Sequence, residues 1–163
     1  MIMPKSTGTV FQELITLSAE RCDMACIRLR DAGYRGEQTT ERRFTIRNIA
    51  DFIVYNDSRL LVLEAKSRKT SLAFEDITQL PDLQRQARMH RDRHLARASS
   101  GVLVEFQNTN QVFWVQADAV SLLQKELGKK SFNAKDLLQY GFNPVRTYLP
   151  QGKRKAHLLL SCI

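Results

Sequence analysis

The chain has 163 residues, 43% of them hydrophobic and 26% charged, enough for one domain over 1–163 to bury a core and short for two. Lys and Arg number 25 against 17 Asp and Glu, a net charge of +8 with a pI near 9.7, so the expected partner is a polyanion, nucleic acid first, rather than a neutral small molecule. No run approaches the roughly 18 uninterrupted apolar residues of a membrane span, and the opening MIMPKSTGTVFQE lacks the apolar stretch of a secretory signal. The expectation is a cytoplasmic protein with no membrane contact.

The basic excess is mostly arginine, 16 Arg against 9 Lys. A planar guanidinium fork matches phosphate oxygens better than a hydrated ammonium does. The clusters Arg42-Arg43-Arg47, Arg85-Arg88-Arg91-Arg93-Arg97 and Lys153-Arg154-Lys155 are denser than solubility requires. Cys22, Cys26 and Cys162 do not form the even set of a disulfide framework, which suits reduced thiols.

Apolar or small residues at Phe11, Leu14, Ile15, Ser18, Cys22, Ala25, Cys26 and Leu29 keep a helical period, so a long amphipathic helix is expected from Gly8 to about Ala32, with Ser6 or Thr7 as N-cap and Gly33 as its end. The alternating run Arg43 to Arg47 comes next. Ile49 to Tyr55 and Leu60 to Ala65 read as strands joined at Asn56-Asp57-Ser58-Arg59, a β-hairpin. Thr70 to Phe74 reads as a loop, and Pro81 sits in the first turn of a helix running to about Ala98 that carries five arginines. Gly101 to Phe106 and Val112 to Val115 form a second hairpin, with Phe113 and Trp114 as sheet packing. Two more helices are expected at Asp118 to Leu127 and, capped by Asn133 or Ser131, at Ala134 to Tyr140; an extended Val145 to Leu149 and an apolar tail from His157 to Ile163 close the chain. The order implies an α/β sandwich around a mixed sheet.

Chemistry concentrates in Asp51 to Lys66. Asp51 lies on an otherwise apolar strand, and Glu64 and Lys66 interrupt the end of the next. Side chains alternate on a strand, so Glu64 and Lys66 share a face with Ala65 opposite, and the hairpin brings Asp51 alongside. Burying two carboxylates and an ammonium together costs several kcal/mol unless they pair or bind a metal. Two carboxylates with a backbone carbonyl, here that of Ala65, suit Mg²⁺, with Mn²⁺ as substitute. His90 and His94 stand four apart without the acid of a zinc helix and are expected to face solvent or phosphate.

Asp51 followed by Glu64-Ala65-Lys66 on adjacent strands, after a long helix, resembles the PD-(D/E)XK nuclease core. Within that superfamily the chain resembles the RecU type of Holliday junction resolvase over most of its length, at Gly8 with Glu13, the Asp51 to Lys66 hairpin, Lys69-Thr70-Ser71 with Phe74, Gly101 to Val104, and Lys129-Lys130-Ser131-Phe132 leading to Asp136-Leu137 and Gly141. The resemblance implies a restriction-endonuclease-like fold, a mixed β-sheet flanked by helices. It further implies Asp51 and Glu64 as metal ligands, Lys66 as the catalytic lysine, Glu13 as an accessory acid on the first helix, and a glutamine after the E-x-K strand, for which Gln79, Gln84 and Gln86 are candidates. Arg42, Arg43, Arg47, Arg68, Lys69 and Gln86 are the expected DNA contacts. The family carries a long hairpin stalk before its catalytic Asp, where only Arg35 to Asn48 is available here, and a hydroxyl residue just before that Asp, where this chain has Ala50. The expected activity is Mg²⁺-dependent resolution of four-way DNA by paired nicks from a homodimer. A nuclease of the same fold without junction preference and a non-catalytic DNA-binding protein remain the alternatives.

Overall fold

In a computed structural model, residues 6–29, 48–148 and 157–163 are described. The expected run Arg43 to Arg47, the helix end at Gly33 and the basic Lys153 to Lys155 lie outside them. Helix α1 spans Thr7–Arg21, with Ser6 Oγ accepting a bond from the Thr9 N–H at 3.3 Å. It is shorter than its periodicity suggests. Asp23 adopts φ +53°, its N–H reaches Glu20 O at 3.3 Å, and the Met24 N–H reaches Ala19 O at 3.0 Å. These are the paired bonds of a Schellman stop, with Met24 buried against Ala19. No glycine marks this stop, so sequence periodicity runs through it. Beyond the stop the chain extends into strand β1, Ala25–Arg28, and Cys22 and Cys26 therefore do not share a helix face.

Strand β2 (Phe52–Asn56) and strand β3 (Arg59–Arg68) form the expected hairpin, tightened to the two-residue turn Asp57-Ser58 because Asn56 pairs with Arg59. The Asn56 side-chain oxygen accepts from both Ser58 N and Ser58 Oγ, the local bonding that suits asparagine to turns. The expected loop after β3 contains strand β4, Ser71–Ala73, and then a 3₁₀ turn at Phe74–Asp76. Helix α2, Leu80–Asp92, has Pro81 in its first turn and ends before Arg93 and Arg97, so it holds three of the five arginines. Strands β5 (Ala98–Phe106) and β6 (Gln111–Gln116) form the second hairpin, and helix α3 spans Ala117–Leu127. Gly128 stops α3 at φ +60°, a left-handed position that suits a residue without Cβ. Strand β7 (Ser131–Asn133) then pairs antiparallel with β4, and helix α4 (Ala134–Gln139) carries a capping box between Asn133 and Asp136. Strands β8 (Thr147–Tyr148) and β9 (His157–Leu158) pair near the end of the chain.

The main sheet has the order β1-β2-β3-β5-β6, with β3 and β5 parallel and the other neighbours antiparallel. Its two faces bury separate clusters. Leu61, Leu63 and Leu103 pack with Phe52 and Val54 against Phe11, Ile15 and Ala19 of α1. Val62, Val102, Val104 and Phe106 pack with Leu83 of α2, Val120 and Leu123 of α3, and Leu137 of α4. Phe113 is fully buried and Trp114 partly so, as sheet packing requires. Among the described residues no helix is long and apolar enough to cross a membrane.

β5 crosses β6 closely at Gly101, where a Cβ would lie 2.4 Å from the Val115 carbonyl oxygen and 3.0 Å from the Trp114 ring. Gly101→Ala therefore forces β5 away from the edge strand β6, and chemical denaturation should give a loss of about 1–3 kcal/mol; an unchanged midpoint would contradict this packing.

Candidate active site

The site sits at the start of β2 and the end of β3. Asp51 immediately precedes β2, and its backbone is fixed on both sides: its N–H reaches Leu63 O at 3.1 Å, and its carbonyl accepts from the Leu29 N–H at 2.8 Å. β2 goes no further along β3, which leaves the Ala65 N–H without a strand partner on that side. The Asp51 side chain supplies one, with Oδ2 accepting at 2.9 Å. N–H and C=O of one strand residue point the same way, so the Ala65 carbonyl faces Asp51 too.

Glu64 is the central anomaly, a carboxylate only 2% exposed in the middle strand of the sheet. Strand alternation turns it toward the face of Val62 and α2, together with Lys66, while Ala65 packs with the α1 cluster opposite. Lys66 Nζ sits 2.7 Å from Glu64 Oε1. The other oxygen, Oε2, is buried and has no hydrogen-bond partner. Burial first, and then the charge of Asp51 beside it, pushes the Glu64 carboxyl from an ordinary 4.5 up to about 7, against the opposing pull of Lys66. An orphaned, desolvated carboxylate oxygen next to a second carboxylate and a backbone carbonyl is the donor set a small hard cation takes, so the residues present fit Mg²⁺ or Mn²⁺.

Other expected residues are dispersed. Glu13 is exposed on α1, the helix that covers the face opposite Glu64 and Lys66, and among the described residues no group of three His, Cys, Asp or Glu side chains is placed to hold a metal. Gln84 donates to Ala117 O at 3.3 Å and Ser121 Oγ at 2.6 Å, tying α2 to α3. Gln79 stands at the N-cap position of α2 without a side-chain capping bond, and its Oε1 accepts from Thr78 Oγ1 at 2.7 Å. Gln86 is half-buried further along that helix. Arg68, one alternation beyond Lys66, is paired with Asp76 at 3.0 Å, and Lys69 is exposed. Arg42, Arg43 and Arg47 fall outside the described residues.

Two features escaped the sequence. His90 is buried rather than solvated, with Nδ1 at 3.5 Å from Ser100 Oγ, and burial lowers its pKa. Ser67, beside Lys66, donates to Glu105 Oε2 at 2.5 Å and accepts from Gln107 Nε2 at 2.9 Å, fastening the ends of β3 and β5 together. The signal was available: Glu105 is the single charge in the apolar run Gly101 to Phe106.

No known family matches the sequence, and neither does any curated protein. Among solved structures the chain is similar to Hjc of Archaeoglobus fulgidus, a Holliday junction resolvase from an archaeal hyperthermophile, with a TM-score of 0.53 and 16% identity over 81% of this chain and 93% of that one. The chain thus has a restriction-endonuclease-like fold, a five-stranded mixed sheet flanked by helices.

Because the folded state holds the Glu64 proton to about pH 7 while an unfolded chain releases it near 4.5, metal-free protein should lose stability as pH rises through that window and no further above it. Glu64→Gln removes the charge. In chelator-treated samples the variant should be more stable than the parent at pH 8, by about 3 kcal/mol, and equal to it near pH 4. Equal stability at both pH values would mean that Glu64 is not a desolvated carboxylate.

Proposed function

We propose that the protein is a divalent-metal-dependent endonuclease that cuts branched DNA, resolving four-way junctions by paired nicks as a homodimer. The observation that carries this reading is the buried Glu64, with one oxygen orphaned, beside Asp51 and Lys66 on a restriction-endonuclease-like fold. The solved resolvase of the same fold and the net charge of +8 support it. The Gly128-Lys129-Lys130-Ser131 segment favours the RecU type within that activity.

Asp51, Glu64 and the Ala65 carbonyl would hold the cation. When bound, it supplies a lowered pKa for coordinated water and positive charge at the scissile phosphate. Lys66, held at Glu64 Oε1, brings an ammonium to the same face, where it neutralises charge developing on the phosphate and orients the attacking water. Glu64 has a double role: it keeps Lys66 in place through one oxygen and offers the other to the metal. Two symmetric cuts need two such sites related by a two-fold axis, which is why the reading includes a second copy. Arg42, Arg43, Arg47, Arg68, Lys69 and Gln86 are the proposed DNA contacts, and Glu13 the proposed accessory acid.

With a labelled four-way junction and Mg²⁺, the protein should give paired nicks and spare a linear duplex of the same sequence. Equal cutting of both would favour a nuclease without junction preference, and no metal-dependent nicking of any branched substrate would favour a non-catalytic DNA-binding protein. Asp51→Asn should abolish cleavage, since an amide cannot hold the dication. Lys66→Ala should lower the single-turnover rate by at least about 100-fold while junction affinity stays within a few-fold, because its contribution is made in the transition state. Loss of affinity with an unchanged rate would assign Lys66 to binding instead.

A further inference from the structure

Two sequence stretches, Lys69-Thr70-Ser71, of which only Lys69 already has a role as a proposed DNA contact, and Lys129-Lys130-Ser131, are brought together by the antiparallel β4–β7 ribbon. The register pairs Ser71 with Asn133, Leu72 with Phe132 and Ala73 with Ser131. Leu72 and Phe132 are buried in the core, so alternation turns Ser71, Ala73, Ser131 and Asn133 to the outside. That outer face is made of small side chains, and the Asn133 amide oxygen is occupied in capping α4. Lys69 stands exposed at one end. Lys130 stands exposed at the other, where its carbonyl accepts from the Phe74 N–H at 3.1 Å.

We propose that this outer ribbon face is a track for the sugar-phosphate backbone of a DNA arm as it leaves the Asp51–Glu64–Lys66 site, with Lys69 and Lys130 as its two phosphate anchors. The proposal rests on the nuclease reading and adds to it the surface that carries the arm. Continuity places it: β3 ends at Arg68, Lys69 lies three residues past Lys66, within about 10 Å of extended chain, and β4 begins two residues later. The junction is rigid, because the Gln107 and Asn108 N–H groups hold the Arg68 and Lys69 carbonyls at 2.9 and 3.1 Å. Lys69 to Phe74, with β4 at its centre, reaches at most about 16 Å, the axial rise of roughly five nucleotides of duplex. Charge agrees with the length. The carboxylates of Asp76 and Asp136 are already matched by Arg68 and Lys129 at 3.0 and 2.9 Å, and the exposed Glu75, just past Phe74, marks where the track stops. Ser71 and Ser131 add hydroxyl donors without bulk, so a phosphate chain can approach the ribbon closely.

The test is junction binding by fluorescence anisotropy across a salt series, in chelator so that nothing is cut. Each lost phosphate contact lowers the slope of log affinity against log salt by about 0.9 on duplex, so Lys69→Ala with Lys130→Ala should lower it by about 1.8, the two single variants by about half that each, and the paired Lys→Arg variant should restore it. Lys125→Ala, on the exposed side of α3, should leave the slope as it was. Melting temperature reports that the variants are folded, which their exposed positions favour. If the parent binds and cuts junctions while the double variant keeps the parental slope, the track is overturned and the nuclease reading stands. If the parent binds neither junction nor duplex, both fall together.

Discussion

Glu64 sits where a carboxylate is hardest to keep: inside the middle strand of the sheet, between β2 and β5, with one oxygen matched by Lys66 and the other by nothing. An isolated buried charge is expensive, and a fold retains one only where something else is gained. Moving it outward by one residue would turn the strand over and put the Leu61 and Leu63 side chains on the wrong cluster, so the position of Glu64 is locked by the same alternation that builds the core. Asp51 is locked by a different device, a strand end at which its side chain replaces the missing backbone partner of Ala65. The two acids are thus held by main-chain geometry rather than by flexible surface contacts, which is the rigidity the proposed metal site needs.

The two faces of the sheet divide the remaining work. α1 seals one face with Phe11, Ile15 and Ala19, while α2 to α4 seal the other, toward which Glu64 and Lys66 turn. The crossover from β3 through α2 to β5 makes those two strands parallel neighbours and sets their ends side by side, where Ser67, Glu105 and Gln107 tie them together. Beyond that tie the chain turns into β4 of the β4–β7 ribbon, so the strand that carries Glu64 and Lys66 leads directly into the proposed DNA track.

Much of this was legible in the sequence, and the gaps have physical causes. The hairpin, the E-x-K strand and the helix caps at Ser6 and Asn133 rest on local rules of alternation, turn composition and side-chain capping, and the structure reproduces them. The first helix reads too long because its Schellman stop uses Asp23 where a glycine is expected and because the next four residues continue an apolar period by coincidence. α2 reads too long for a related reason: His94 takes φ +55° just past its end, again without glycine. β4 is invisible because three residues without a local partner have no period, and its pairing with β7 lies sixty residues away in the chain. The Asp51–Glu64–Lys66 cluster was readable since all three lie on one hairpin; the roles of Glu13 and of the glutamines depend on how α1 and α2 pack, which no spacing encodes.

The central claim is that Asp51 and Glu64 hold a divalent cation. Crystals soaked in Mn²⁺ and measured for anomalous scattering test it directly. The account predicts a peak about 2.1 Å from carboxylate oxygens of both residues and from the Ala65 carbonyl. A peak elsewhere, with these oxygens left uncoordinated at saturating Mn²⁺, would contradict it.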